Sequence, residues 1–340
     1  MSFTYRRQLT AANGDFEIFT NFPALVIIDD TSGAYPGLDT YDAISFHDSD
    51  GTRLSWECAE FNAGAKSYYF VKCLNIAATN TDYIEVYYGG DTSTEDKTGV
   101  WDANYVSAYH MKDETTSTIL DSTSNNVDLT KKGANEPIEA AGSIGLAQSF
   151  DTNDYITVLA DGTGTFNKQT FTLEFVFTTP AILANWRHLW SYDFTSHAVP
   201  YYAQHLRYGS GAYLYFGFND AGVAKSLTGT TIAANTTYYA TITYTNGSQE
   251  MWINAVSKDT DTLAGGITYY AQETWIGKTN FGTTRAEVIN EVRFSDIVRS
   301  DNYIAAQDKM LRTQDYWTVG EQVKRKRIYS PTTVLIKGRL

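Results

Sequence analysis

The stretch TTYYATITYTNGSQEMWINAV, residues 236–256, limits what this chain can become more than any other. Two runs of alternating apolar and polar residues flank Asn246-Gly247, the strongest short-range hairpin signal, since a tight two-residue turn needs positive φ. Alternation with a period of two sends one face of each strand to a core and the other away from it.

The same pattern recurs along the chain. FPALVIID (22–29) is an apolar run, YDAISFHDSDGTRLSWECAEF (41–61) joins two alternating segments through Asp-Ser-Asp-Gly, and YYFVKCLNI (68–76) and YIEVYYGG (83–90) follow. GSIGLAQSFDTNDYITV, QTFTLEFVFTT, HLWSYDF and AYLYFGFN continue it from residue 142 to 219. Aromatics make up 14% of residues, which suits pleated sheet. One helix is convincing: Ser300 can cap DNYIAAQDKML, with Tyr303, Ile304, Gln307, Met310 and Leu311 on one face. No repeat of a solenoid or propeller type is evident.

A chain of 340 residues is long for one domain. DTSTEDKTG (91–99) is polar and charged without apolar spacing, the best linker. The expected organisation is a strand-rich domain over 1–90, a linker at 91–99, a second strand-rich domain over 100–315 and a basic tail over 316–340.

Charge is unevenly placed. Residues 324–340 hold six of the 26 basic residues and no acid, so the first 323 carry 20 basic against 39 acidic groups, a net of −19. Such a body is not expected to bind nucleic acid by neutralising phosphates, nor an anionic membrane surface. No run of 18 apolar residues occurs, so no membrane insertion is expected. MSFTYRRQLTAANGDF lacks the apolar stretch of an export signal, so the chain is expected to be made in a cytoplasm.

Cys58 and Cys73 flank CAEFNAGAKSYYFVKC. With the turn centred on residues 65 and 66, position 58 faces position 73 and a disulfide fits; two free thiols are the preferred reading.

Motifs for chemistry are weak. Gly277-Lys278-Thr279 looks like part of a phosphate loop, but Gln272 stands where its first glycine belongs. Asp48, Asp50, Gly51 and Glu57 resemble half a calcium loop whose first ligand position holds Phe46. Asp151, Asn153 and Asp154 can offer oxygens to calcium, the one cofactor considered, or simply form a turn. The spacing of His188, His197 and His205 matches no structural zinc site, and no serine-hydrolase elbow occurs. Trp186, Trp190, Tyr201 and Tyr202 form an aromatic-rich patch that is a candidate for stacking on sugars, although core placement is the commoner fate of such rings.

RAEVINEVRFSDIVRS (285–300) sets Glu287 and Glu291 among arginines. A retaining glycosidase needs two carboxylates about 5 Å apart, whereas a four-residue spacing on a strand separates them by roughly 13 Å. Strict alternation groups Glu287, Ile289, Glu291 and Arg293 on one face, with Glu291 and Arg293 paired at a sheet surface. The carboxylates read as structural.

Two segments carry family resemblances. Ile276-Gly277, Ile289 to Ser295, Arg299-Ser300 and Ile304 resemble the closing strand and helix of laminin-G-like, concanavalin A-like jelly rolls, with Asn290 replacing the usual Asp. GLAQSFDTNDYITV, FTLEFVF and QEMWINAV are similar to that family's early and middle strands. YRRQLT (5–10), NFPALV (21–26), DAISFHDSDGTRLSWE (42–57), AKSYYFVKCLNI (65–76) and IEVYYGG (84–90) resemble a β-rich domain of unassigned function that often precedes a laminin-G-like domain in archaeal, bacterial and viral surface proteins.

The resemblance implies an all-β fold of two β-sandwiches, over 1–90 and 100–315, the second a concanavalin A-like jelly roll with one short C-terminal helix, and adhesion or glycan recognition as the usual role. The expectation is a non-enzymatic virion protein of a phage or archaeal virus, a tail or fibre-associated adhesin or capsid decoration protein, assembled in the host cytoplasm. Its expected partners are other virion proteins, further copies of itself and host surface glycans, with Lys324, Arg325, Lys326 and Arg327 as docking residues. The alternatives are a cell-surface adhesin or glycan-binding protein, and a glycanase on the same fold.

Overall fold

The computed structural model describes residues 3–11, 18–76, 82–133, 136–151, 153–158, 164–181, 183, 187–192, 203–269, 273–279, 282–283 and 287–325. The chain is all-β, two sandwiches with one short C-terminal helix, as the strand pattern required.

The N-terminal unit has strands β1 (Tyr5–Ala11), β2 (Phe19–Asp29), β3 (Ile44–Asp48), β4 (Trp56–Glu60), β5 (Lys66–Ile76) and β6 (Tyr83–Tyr88). One antiparallel sheet runs β1-β6-β3 and the other β2-β5-β4. The Asp-Ser-Asp-Gly turn forms, with Gly51 at φ 88° and its amide donating to Asp48 O. After a single bridge, His47 to Arg53, the flanking segments part: β3 stays with β6 and β4 crosses to β5. The turn is therefore a corner between sheets.

The cysteine register differs from the sequence reading. The β4–β5 turn closes at Asn62–Ala65, so Cys58 lies opposite Tyr69, while Cys73 lies opposite Phe22 on β2. Both thiols are free.

The second unit is a sandwich of two large antiparallel sheets, the architecture expected of a jelly roll. Its first strands are β7 (Tyr105–Tyr109), β8 (Thr118–Ile119), β9 (Leu129–Lys131), β10 (Ile138–Ala141), β11 (Leu146–Ser149) and β12 (Ile156–Val158). Next come β13 (Thr170–Thr178), β14 (His188–Tyr192), β15 (Gln204–Tyr208), β16 (Tyr213–Asp220), β17 (Val223–Thr231), β18 (Thr237–Thr245) and β19 (Ser248–Ile253). β20 (Val256–Asp261), β21 (Thr274–Ile276), β22 (Lys278–Thr279), β23 (Gly282–Thr283) and β24 (Val288–Ser295) complete it. One sheet runs β10-β11-β24-β13-β18-β19-β20 with β7 also on β24; the other runs β17-β16-β15-β14-β21-β12-β9-β8. We call them the covered and the outer sheet. Asn246-Gly247 makes the expected hairpin, with Thr245 opposite Ser248. Phe171, Leu173, Phe175, Val292 and Phe294 of the covered sheet share a core with Trp190, Leu206, Phe216 and Ile276 of the outer one.

The C-terminal segment ties the units together. After a single helical turn, α1 (Lys97–Val100), the second helix is α2 (Asp301–Asp308): Ser300 Oγ accepts from the Tyr303 amide and starts it, and it widens into a π-turn over Lys309–Thr313. The face expected from the sequence is the buried one, and its residues join the core of the N-terminal unit, not that of the jelly roll. Each such side chain contributes on the order of 1.5–3 kcal/mol by leaving water. Beyond the helix, β25 (Trp317–Val319) and β26 (Val323–Lys324) pair with β1, inside the stretch expected as a tail.

The free edge of β2 is closed by side chains: Gln307 Nε2 donates to Pro23 O at 3.1 Å and Trp317 Nε1 to Leu25 O at 2.8 Å. Pro23 itself offers no amide hydrogen there. The 91–99 stretch, expected as a linker, lies against β4: Glu95 accepts from the Cys58 amide and Asp96 from Ser55 Oγ. Among the described residues no helix is long and apolar enough to cross a membrane.

Candidate functional site

Two places collect charged and aromatic side chains. The first is the outward face of the covered sheet. Opposite β13, Glu291 pairs with Val176 and Ile289 with Phe177, leaving Asn290 as an extra residue. Such a bulge shifts the alternation by one. Ile289 therefore joins Val292 and Phe294 in the jelly-roll core, against the expectation that it shares a face with Glu291 and Arg293.

Glu291 and Arg293 do pair, at 2.7 Å, but they are fully buried between the two units, not at a sheet surface. Arg293 Nη1 donates to Gln307 of α2 at 2.9 Å, and its guanidinium lies over the rings of Phe70 and Trp101. His110 completes the contact. Its Nδ1 is 2.9 Å from Glu291 and its Nε2 is 3.1 Å from Glu57, while its ring stacks on Phe70 at 4.5 Å. Burial works against a charged imidazole, but Glu291 and Glu57 more than offset it and lift the pKa to about 9.

A cleft of about 290 Å³ opens beside His110, lined by Glu57, Cys58, Glu95, Lys97, Lys112 and Asp113. It has the look of an active site without the means. His110 is protonated and held between two carboxylates, so it is no base at neutral pH. Burial and then Glu95 push the Cys58 thiol up to about 12, so it is no nucleophile. The arrangement clamps one unit to the other.

The second place is the outward face of the outer sheet. Ile156, Val158 and Ile276 point into the core, which leaves Tyr155, Thr157 and Trp275 pointing away from it. Trp275 Nε1 donates to Glu273 Oε2 at 2.8 Å, and Thr157 Oγ1 reaches the same oxygen at 3.4 Å. Lys278 Nζ lies 3.9 Å from the centre of the Tyr155 ring and 5.5 Å from that of Trp275. Gly277 makes this return possible: its φ is 86°, and a Cβ there would meet the Phe150 ring at 2.7 Å. Tyr155, Glu273 and Lys278 are half-buried and Trp275 is 7% exposed.

Farther along the same face, Arg207 Nε donates to His205 Nε2 at 2.9 Å and its guanidinium lies over Tyr215. Gly217 leaves room for the His205 ring, since a Cβ would sit 2.4 Å from Nε2. Burial, His188 and Arg207 hold the His205 pKa well below its ordinary value, so it is neutral.

No family model matches the chain, and no curated protein sequence does. Solved structures match. The binding domain of Paraclostridial Mosquitocidal Protein 1 aligns with a TM-score of 0.50 at 14% identity, over 61% of this chain and 52% of that one. Domain 4 of AbnA, a GH43 extracellular arabinanase from Geobacillus stearothermophilus solved with arabinotriose, aligns with a TM-score of 0.47 at 16% identity, over 60% and 98%. The receptor-binding domain of botulinum neurotoxin type G gives 0.46 and 15%, over 61% and 51%. The likeness is one of fold. This chain spans about half the length of each of these toxin binding domains.

Among the residues singled out from the sequence, Trp190 is withdrawn as a sugar platform: it is fully buried, packed against Phe166, Phe175 and Phe294. Trp186, Tyr201 and Tyr202 lie outside the described residues. Asp154 Oδ2 accepts from the Asp151 amide and Asp151 Oδ1 from that of Asn153, so both carboxylates take part in closing their turn. Among the described residues no three His, Cys, Asp or Glu side chains gather as metal ligands. Lys324 and Arg325 are exposed at the edge of the N-terminal sheet, Arg325 over the Tyr87 ring; Lys326 and Arg327 lie outside the described residues. Gly277-Lys278-Thr279 is a strand end, not a phosphate loop. Sequence reasoning missed Tyr155 and Trp275. Their signal was the alternation of NDYITV and ETWIGK, which sets each ring opposite a core isoleucine.

Proposed function

We propose that this chain is a non-catalytic binding protein, presented on a surface, whose second sandwich takes a glycan on the outer sheet. The observation that carries this reading is the Tyr155–Glu273–Trp275–Lys278 cluster. The half-buried Tyr155 ring, backed by buried Trp275, offers a flat apolar surface for a sugar's C–H face, and the Glu273 carboxylate can accept its hydroxyls. The mosquitocidal match, itself a binding domain, agrees with it.

Nothing comparable supports catalysis among the described residues. Glu287 bonds Arg187 at 3.2 Å, while Glu291 serves His110 and Arg293 between the units, so the two carboxylates do not face one cleft. Burial, partly offset by Arg187, raises the Glu287 pKa to about 7, but the group is 1% exposed.

Binding of the purified chain to an immobilised glycan panel tests the proposal. Retention on at least one glycan, lost in Tyr155→Ala with the fold intact, is the expected result. No retention, or release of reducing sugar from the bound glycan, overturns it. A cell-surface adhesin is the setting we favour, and the virion is its narrower rival, with exposed Lys324 and Arg325 as the contact to a neighbouring copy or particle protein. Immunodetection in purified particles, against cell envelopes, separates the two.

A further inference from the structure

The outer sheet holds a second set of outward rings that the Tyr155 cluster does not use. Tyr213 is 40% exposed, one of two aromatic side chains this open among the described residues, and Tyr215 beside it is half-buried. Their neighbours along β16, Leu214 and Phe216, lie in the core, so both tyrosines stand on the outward face. The two ring centres are 6.3 Å apart. Each ring lies against a glycine: a Cβ on Gly209 would sit 1.9 Å from the Tyr215 ring, and one on Gly211 would sit 3.5 Å from that of Tyr213. Arg207, bonded to His205, backs Tyr215 from the adjoining strand. The core uses neither ring, yet the backbone is shaped to hold both.

Strand register sets this platform in line with Tyr155. Ile156 pairs with Ile276, which brings Tyr155 opposite Gly277, and the Gly277 amide donates to Leu189 O. On the next strands His188 pairs with Arg207 and Arg207 with Tyr215. One row therefore crosses β12, β21, β14, β15 and β16, four strand spacings or roughly 19 Å. Between its terminal rings the row presents Gly277, without a side chain, and His188, whose ring packs on His205. From this we infer that the glycan is a linear chain laid across the strands, with one sugar face on Tyr155 and another, several units along, on Tyr213 and Tyr215. The inference rests on the reading of this face as a glycan site and names the form of the ligand: an oligosaccharide held along its length. A single terminal sugar is too small to meet both platforms.

The experiment varies chain length at constant chemistry. Disaccharides and hexasaccharides of the xylo, manno, cello and arabino series are measured by calorimetry against the full chain, with sialyllactose as the probe that ends in one distinctive sugar. The expected result is that in one series the hexasaccharide binds about tenfold or more tightly than the disaccharide, the order that one well-packed ring contact supplies. Tyr213→Ala and Tyr215→Ala should each bring the hexasaccharide down towards the disaccharide, whereas Tyr155→Ala should weaken both. Tyr213 is exposed enough for its variant to decide the matter if Tyr215→Ala fails to fold. Equal affinity for the two lengths in every series that binds, a length gain that survives in each folded Tyr213 or Tyr215 variant, or sialyllactose binding tighter than every hexasaccharide overturns the extended chain and leaves glycan binding standing. No binding to any probe or to the wider glycan panel overturns both readings.

Discussion

Both sheets of the second sandwich send apolar residues to a common core and polar or aromatic ones away from it, yet their outward faces end in different circumstances. On the covered sheet, Glu291 and Arg293 are sealed under α2 and the N-terminal unit, each charge answered by another. On the outer sheet, Lys278 lies over the Tyr155 and Trp275 rings, and among the described residues neither it nor Lys132 has an acid partner within 4 Å. Buried charge without a partner costs several kcal/mol, so a face that will be covered must arrive fully paired.

Breaking the covered face should cost most. Arg293→Met leaves Glu291 buried with His110 alone, and we expect a loss of about 3–5 kcal/mol in urea unfolding. His110 should come next, with a pH signature. Its folded pKa of about 9 lies above the unfolded value near 6.5, so its contribution is complete below 6.5 and disappears as pH rises through 9. The size is on the order of 3 kcal/mol. Stability measured from pH 6 to 10 should fall in the native chain and stay flatter in His110→Phe.

Gln307→Ala and Trp317→Phe each strip a donor from a carbonyl on the edge of β2, for about 1–3 kcal/mol apiece by thermal or urea unfolding. At the far end of the scale, Lys278→Gln should change stability by less than about 0.5 kcal/mol while changing glycan affinity. A Lys278 variant that unfolds as readily as the Arg293 variant would erase the distinction between the faces.

Much of this was legible. The Asn246-Gly247 hairpin, the cap at Ser300 and the buried stripe of α2 are local features, set by φ preferences and helical spacing, and they stand as read. The bulge at Asn290 was not legible, because strict alternation is the default and a one-residue insertion shows only against its partner strand. The cysteine register failed for a related reason: the turn settled at Asn62–Ala65, and a shift of the turn moves every pair along the hairpin. At the site, alternation told which residues share a face but not what lies over that face. The dense aromatic run drew attention to Trp190, which the core needed, while Tyr155 and Trp275 sat in ordinary-looking strands.

The closing of β2 by Gln307 and Trp317 bears on how the chain is made. β6 ends at Tyr88 and α2 begins at Asp301, so more than two hundred residues leave the ribosome between an N-terminal strand set and the segment that finishes it. At ordinary synthesis rates that interval is on the order of ten seconds or more. The jelly roll, whose strands end at Ser295, has all its parts first. The unit translated first is thus completed last, and until then β2, one of its two longest strands, waits with one edge bare.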